Sequence, residues 1–176
     1  MWRVGVPVSA PLVVFAVGNP SRGDDALGPV LCGRLAEWLE NEGLAGQVEL
    51  VEDFQLQIEH ALDLVGRELA LFIDAGAGTP APYTLGHIAP AAGIAHTTHE
   101  LPPEAVLQVY RRTEGGEPPP AFVLCVRGES FALGDPLSAA AEANAAAALE
   151  FLTHVLGRPD GQALVDQCCS IRAAGG

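Results

Sequence analysis

Apolar residues along this chain follow two rhythms that alternate from one end to the other. Leu12 to Gly18, LVVFAVG, is an unbroken apolar run rich in β-branched residues and closed by glycine. Such a run predicts a strand buried on both faces, as in a parallel sheet. Leu27, Leu31, Leu35, Trp38 and Leu39 then recur at helical spacing, with Pro29 in the first turn, where its missing N–H costs nothing, and Gly43 at the end. QVELVE, Gln47 to Glu52, alternates like a strand, and EHALDLVGR, Glu59 to Arg67, returns to helical spacing through Ala61, Leu62 and Val65. ELALFIDAGAG, Glu68 to Gly78, repeats the opening pattern of apolar strand, acid at the exit and glycine-rich loop. YTLGHIA predicts another strand, Pro103 to Arg111 a helix, AFVLCVRG a buried strand and LSAAAEANAAAALEFLTHVLG a long alanine-rich helix. Periodicity is weak from Arg158 onward, so 158–176 reads as a frayed tail.

Strands alternating with helices define an α/β class, with a mostly parallel sheet covered by helices on both faces. A single domain over 1–176, its core at about 12–157, suits a chain of this length. Ligand sites in such sheets collect at the carboxyl ends of strands. That rim would carry Asp24, Asp25, Asp74 and the loop around Gly128.

Charge narrows the partners. The chain has 22 acidic against 9 basic residues, a net charge of −13, which repels phosphate backbones and anionic membranes. Nucleic acid is therefore not expected as a partner, and no stretch approaches the roughly 20 apolar residues of a membrane span. The four cysteines, Cys32, Cys125, Cys168 and Cys169, lack C-x-x-C spacing and support neither a zinc knuckle nor a disulfide framework. Pro7 and Pro11 interrupt the N-terminal apolar patch, unlike a signal peptide. A soluble, cytoplasmic monomer is expected.

Candidate chemistry lies in three places. GNPSRGDD places Asp24 and Asp25 side by side just before a helix, where one acid could serve as a cap. Asp74 follows LALFI, where no helix start is evident, and could be a turn aspartate or part of a site. In HTTHELPPE, His99 precedes Pro102 and Pro103, which suit a first helical turn whose positive end favours neutral imidazole, the metal-binding form. His96 competes for that role, while His60, His87 and His154 read as ordinary face or surface histidines. Two carboxylates and an imidazole would suit a borderline divalent ion such as nickel or zinc. No G-x-S-x-G elbow is present, Cys125 reads as core, and GNPSRG lacks the residues of a phosphate loop. A nucleotide-binding α/β domain is thus a weaker alternative.

Four ordered motifs resemble a known family. GNPSRGDDALGP, LFIDAG, THELPP and GESFALGDPLS, spread over roughly Val13 to Leu156, are similar to segments of the maturation endopeptidases of [NiFe] hydrogenases. The resemblance implies a three-layer fold with a twisted five-stranded sheet between helices. It implies a metal-dependent endopeptidase that removes the C-terminal extension of an immature hydrogenase large subunit once nickel has been inserted. Nickel would arrive with that precursor, the expected partner, and other divalent ions could replace it in isolation. Position by position, the resemblance implies catalytic and metal-contacting roles for Asp25, Asp74 and His99, with Asp24 supporting the loop and capping the helix. DFQLQIEH stands where many members carry a glycine–threonine segment, and resembles proteases serving cytoplasmic, multisubunit NAD-reducing or related hydrogenases. A non-proteolytic assembly factor that holds the same subunit is the alternative of a different class.

Overall fold

A computed structural model describes residues 9–92 and 101–157. The opening apolar run forms β1, Leu12–Val17, whose six residues are all buried. Four further strands join it: β2 (Val48–Asp53), β3 (Leu69–Ala77), β4 (Tyr83–Ile88) and β5 (Ala121–Gly128). Their order is β2-β1-β3-β5-β4, parallel throughout except for the antiparallel edge strand β4. Three α-helices cover the sheet: α1 (Leu27–Asn41), α2 (Pro103–Glu114) and α3 (Ala139–Leu156).

Side-chain alternation along the strands divides the interior into two cores. Leu12 and Val14 of β1 and Leu71 and Ile73 of β3 face α1 and α3. On that side α1 contributes Leu27, Leu31, Leu35 and Leu39, each burial stabilising by about 1.5–3 kcal/mol. The small Ala141, Ala145 and Ala148 let α3 lie close against the same layer. Val13 and Phe15 of β1 and Ala70 and Phe72 of β3 point the other way, toward α2 and a 3₁₀ helix over Ile58–Leu64. Phe15 and Phe72 stack at 4.7 Å between ring centroids, joining the two central strands on that face.

Two expectations change. The segment around Glu59–Arg67 is helical but tighter than an α-helix, and its three-residue turn selects a different face. Ala61 and Leu64, three apart, go into the core, while Leu62 is 67% and Val65 45% exposed. Asp74 also lies within β3 rather than at its exit. Pairing with β1 ends at Ala16 and Ile73, but β3 continues against β5 as far as Ala77 and Gly128. The expected tail, 158–176, lies outside the described residues.

Candidate functional site

The strand order reverses between β1 and β3. The chain leaves β1 through α1 to reach β2 on one side, then returns through the 3₁₀ helix to β3 on the other. Strand ends on either side of such a switch point diverge and leave a crevice beyond their carboxyl ends. Here a cleft of about 410 Å³ opens at that position on the α2 side. Asp25 and Asp74 both line it, with Gly18, Phe54, Phe72 and Pro102 among its walls.

Local backbone chemistry places Asp25. At Gly18 the chain turns sharply with φ +148°, and a Cβ there would come within 2.0 Å of the Asp25 carbonyl oxygen. Glycine thus lets the short 3₁₀ turn Gly23–Ala26 fold back against the strand end. The Asn19 N–H donates to Asp25 Oδ2 at 2.9 Å, and the half-buried carboxylate is held at the cleft edge. Asp74, more exposed, accepts the Ala75 N–H on Oδ1 at 2.8 Å.

Asp24 has a different environment and a different task. It is fully buried. Its Oδ2 accepts from the N–H groups of Glu129 and Ser130 and from the Ser138 hydroxyl, and its Oδ1 accepts from the Ser138 N–H. These four bonds are 2.7 to 3.0 Å long. Burial pushes its carboxyl up, but the donors of Glu129, Ser138 and Ser130 outweigh it and hold the group below its ordinary value. While its O–H donates to Asp24, the Ser138 hydroxyl oxygen accepts the Ala141 N–H and so caps α3. Asp24 therefore supports a loop, as the resemblance implies, but caps no helix of its own: it clamps the exit of β5 and the start of α3 to the turn carrying Asp25. Neither its role nor that of Ser138 was visible in local spacing.

Gly128 makes the clamp possible, because a Cβ there would sit 2.8 Å from Asp24 Cβ and 2.7 Å from Phe131 Cζ. Gly128→Ala is expected to lower stability by roughly 1–3 kcal/mol through overpacking. A melting temperature equal to that of the parent would contradict this packing.

The alternative of a phosphate-binding loop loses its physical basis. From Gly18 to Asp25 every backbone N–H already has an acceptor within the protein. Asp53, Arg22 and Asp135 carbonyls, the Asn19 carbonyl and side chain, Asp25 Oδ2 and the Ser130 carbonyl take them all. No cradle of unsatisfied donors remains for an anion.

Pro102 caps α2 and Pro103 opens it, as the sequence predicts, and Leu101 with both prolines lines the cleft. His99 and His96 themselves lie outside the described residues. Among the described residues, no three His, Cys, Asp or Glu side chains could hold a metal ion. His87 and His154 are exposed as anticipated, but His60 is buried. Its Nδ1 accepts the Gln57 N–H at 2.8 Å, and its Nε2 lies 3.4 Å from Asp53 Oδ2. That histidine ties the cleft wall bearing Phe54 to the end of β2. Cys32 is buried, and burial together with Glu52 pushes its thiol up to about 11, far from a nucleophile's range. No helix among the described residues is long and apolar enough to cross a membrane.

No family model matches the chain, and neither does any curated protein sequence. Solved structures do. The [NiFe] hydrogenase maturation protease HycI from Thermococcus kodakarensis KOD1 superposes with a TM-score of 0.64 at 21% identity, over 85% of this chain and 94% of its own. The hydrogenase maturating endopeptidase HybD from E. coli superposes with a TM-score of 0.64 at 25% identity, over 82% of this chain and 91% of its own. A hydrogenase 2 maturation peptidase from Thaumarchaeota archaeon SCGC_AB-539-E09 superposes at 0.57 and 22%, over 83% and 97%. Over most of its length the chain has the fold of [NiFe] hydrogenase maturation proteases.

Proposed function

We propose that the chain is an endopeptidase that removes the C-terminal extension of an immature [NiFe] hydrogenase large subunit after nickel insertion, acting in the cytoplasm. The observation that carries this reading is the meeting of Asp25 and Asp74 in one cleft at the switch point of a fold shared with hydrogenase maturation endopeptidases. Nickel belongs to the substrate in this reading. Asp25, Asp74 and His99 engage it from the protease side, and the scissile peptide is thereby held in the cleft.

Positioning is the main contribution assigned to the chain's own residues. Holding reactants in place can supply up to roughly 7–11 kcal/mol in favourable intramolecular cases. A carboxylate in the cleft can also take a proton from the attacking water when it lies within hydrogen-bond reach of it. The substrate's metal supplies Lewis acidity toward the carbonyl.

The test is incubation of purified nickel-loaded precursor with the protein, followed by mass measurement. Loss of the extension, with nickel-free precursor left uncut, is the expected result. Equal processing of both precursors would remove the nickel requirement. Stable association without any mass decrease would identify an assembly factor instead. In the same assay His99→Ala is expected to slow processing roughly a hundredfold by removing a positioning contact, and His96→Ala by less than about threefold. A larger loss for His96→Ala would reassign the imidazole.

A further inference from the structure

A second cavity lies on the opposite side of the sheet from Asp25 and Asp74. Its volume is about 770 Å³, and its walls come from the end of α1, the start of β4 and the last turns of α3. Three aromatic side chains line it, Trp38, Tyr83 and Phe151. All three are only partly buried and rest on the α1 and α3 core. Tyr83 and Phe151 meet at 5.4 Å between centroids with a tilt of 36°, forming an angled aromatic wall.

The polar groups beside these rings carry one sign of formal charge. Glu42 and Glu150 line the cavity, both exposed, and among the described residues no Lys or Arg does. His154 and the Tyr83 hydroxyl are the other titratable groups there among the described residues. Burial, and then the nearby Glu150 charge, push the Tyr83 hydroxyl up, so the carboxylate and the ring share one local field. Exposed aromatic faces attract cations through their quadrupole, and carboxylates add direct attraction and hydrogen-bond acceptance. An apolar ligand would leave the carboxylates unused, and an anion would be repelled by them.

We propose that this cavity is a docking site for a basic segment of a partner protein, with a Lys or Arg side chain lying over the Trp38, Tyr83 and Phe151 rings and pairing with Glu42 and Glu150. The site is separate from the Asp25 and Asp74 cleft, so a partner held there leaves the cleft accessible. The proposal does not rest on the peptidase reading. Docking of this kind also draws on the net charge of −13, which favours encounter with basic surfaces.

The experiment is a titration of the full ¹⁵N-labelled chain with the capped peptide Gly-Arg-Gly-Arg-Gly, and with its twin carrying Gln in place of Arg, following the Trp38 indole N–H signal. The Arg peptide is expected to produce a saturable, salt-sensitive shift that the Gln peptide does not. Affinity should fall about fivefold or more in the surface double variant Glu42→Gln, Glu150→Gln, and at least as much in Phe151→Ala. Asp25→Asn, in the other cleft, should titrate like the parent. Equal shifts with both peptides, no shift with either, or parental affinity in the folded Glu42→Gln, Glu150→Gln variant would overturn the proposal. Loss of binding in Asp25→Asn would overturn it as well.

Discussion

Asp25→Asn and Asp74→Asn are each expected to slow processing of a nickel-loaded precursor by roughly a hundredfold or more. Each substitution keeps the side-chain volume and keeps one carbonyl oxygen. Asn at position 25 can still accept the Asn19 N–H, and Asn at position 74 can still accept the Ala75 N–H. What disappears is the negative charge in the cleft. Melting temperature should therefore move by only about 1–2 °C, in line with changes outside the core. Rates measured beside melts separate the effects. A folded variant that processes within about twofold of the parent would remove that carboxylate from the mechanism.

Asp24→Asn should do the reverse and unfold the protein more readily. One carboxylate here receives four donors, and an amide in its place presents N–H groups to N–H groups inside the protein. Leaving buried donors unmatched and removing charge-assisted bonds costs about 3 kcal/mol, or roughly 6–12 °C in a domain of this size. Acid provides the second measurement. Because the native carboxyl titrates below its ordinary value of 3.8, its stabilisation is complete above that pH and is lost as pH falls through the lower native value. The gap between parent and variant should accordingly narrow below pH 3.8. A gap that is absent at neutral pH, or unchanged in strong acid, would contradict the clamp.

The contrast between these adjacent acids shows where the sequence is legible. Strands announce themselves through continuous apolar runs, and α1, α2 and α3 through spacing and proline placement, so the α/β class and sheet could be read directly. Asp25 and Asp74 were accessible because each comes soon after a continuous apolar run, near a rim where such folds bind ligands, although Asp74 proves to lie inside β3. The clamp made by Asp24 was not, since the groups it binds lie 105 to 114 residues away in the chain. Over Ile58–Leu64 the difficulty was one of period: a 3.6-residue rhythm puts Leu62 and Val65 inward, whereas the three-residue turn buries Ala61 and Leu64. His60 is buried as well, its Nδ1 accepting the local Gln57 N–H, a bond that spacing does not reveal.

The Asp24 clamp also sets an order of events during synthesis. Chains emerge from the N-terminus, and contacts between distant segments must wait for the later one. The turn bearing Asp25 is made early, yet its backing reaches as far as Ser138, 114 residues beyond Asp24. Until that segment has left the ribosome, the nascent chain can pair β1 with β2 while Asp24 lacks its native donors. The backing of the Asp25 turn is consequently completed only once Ser138 is available.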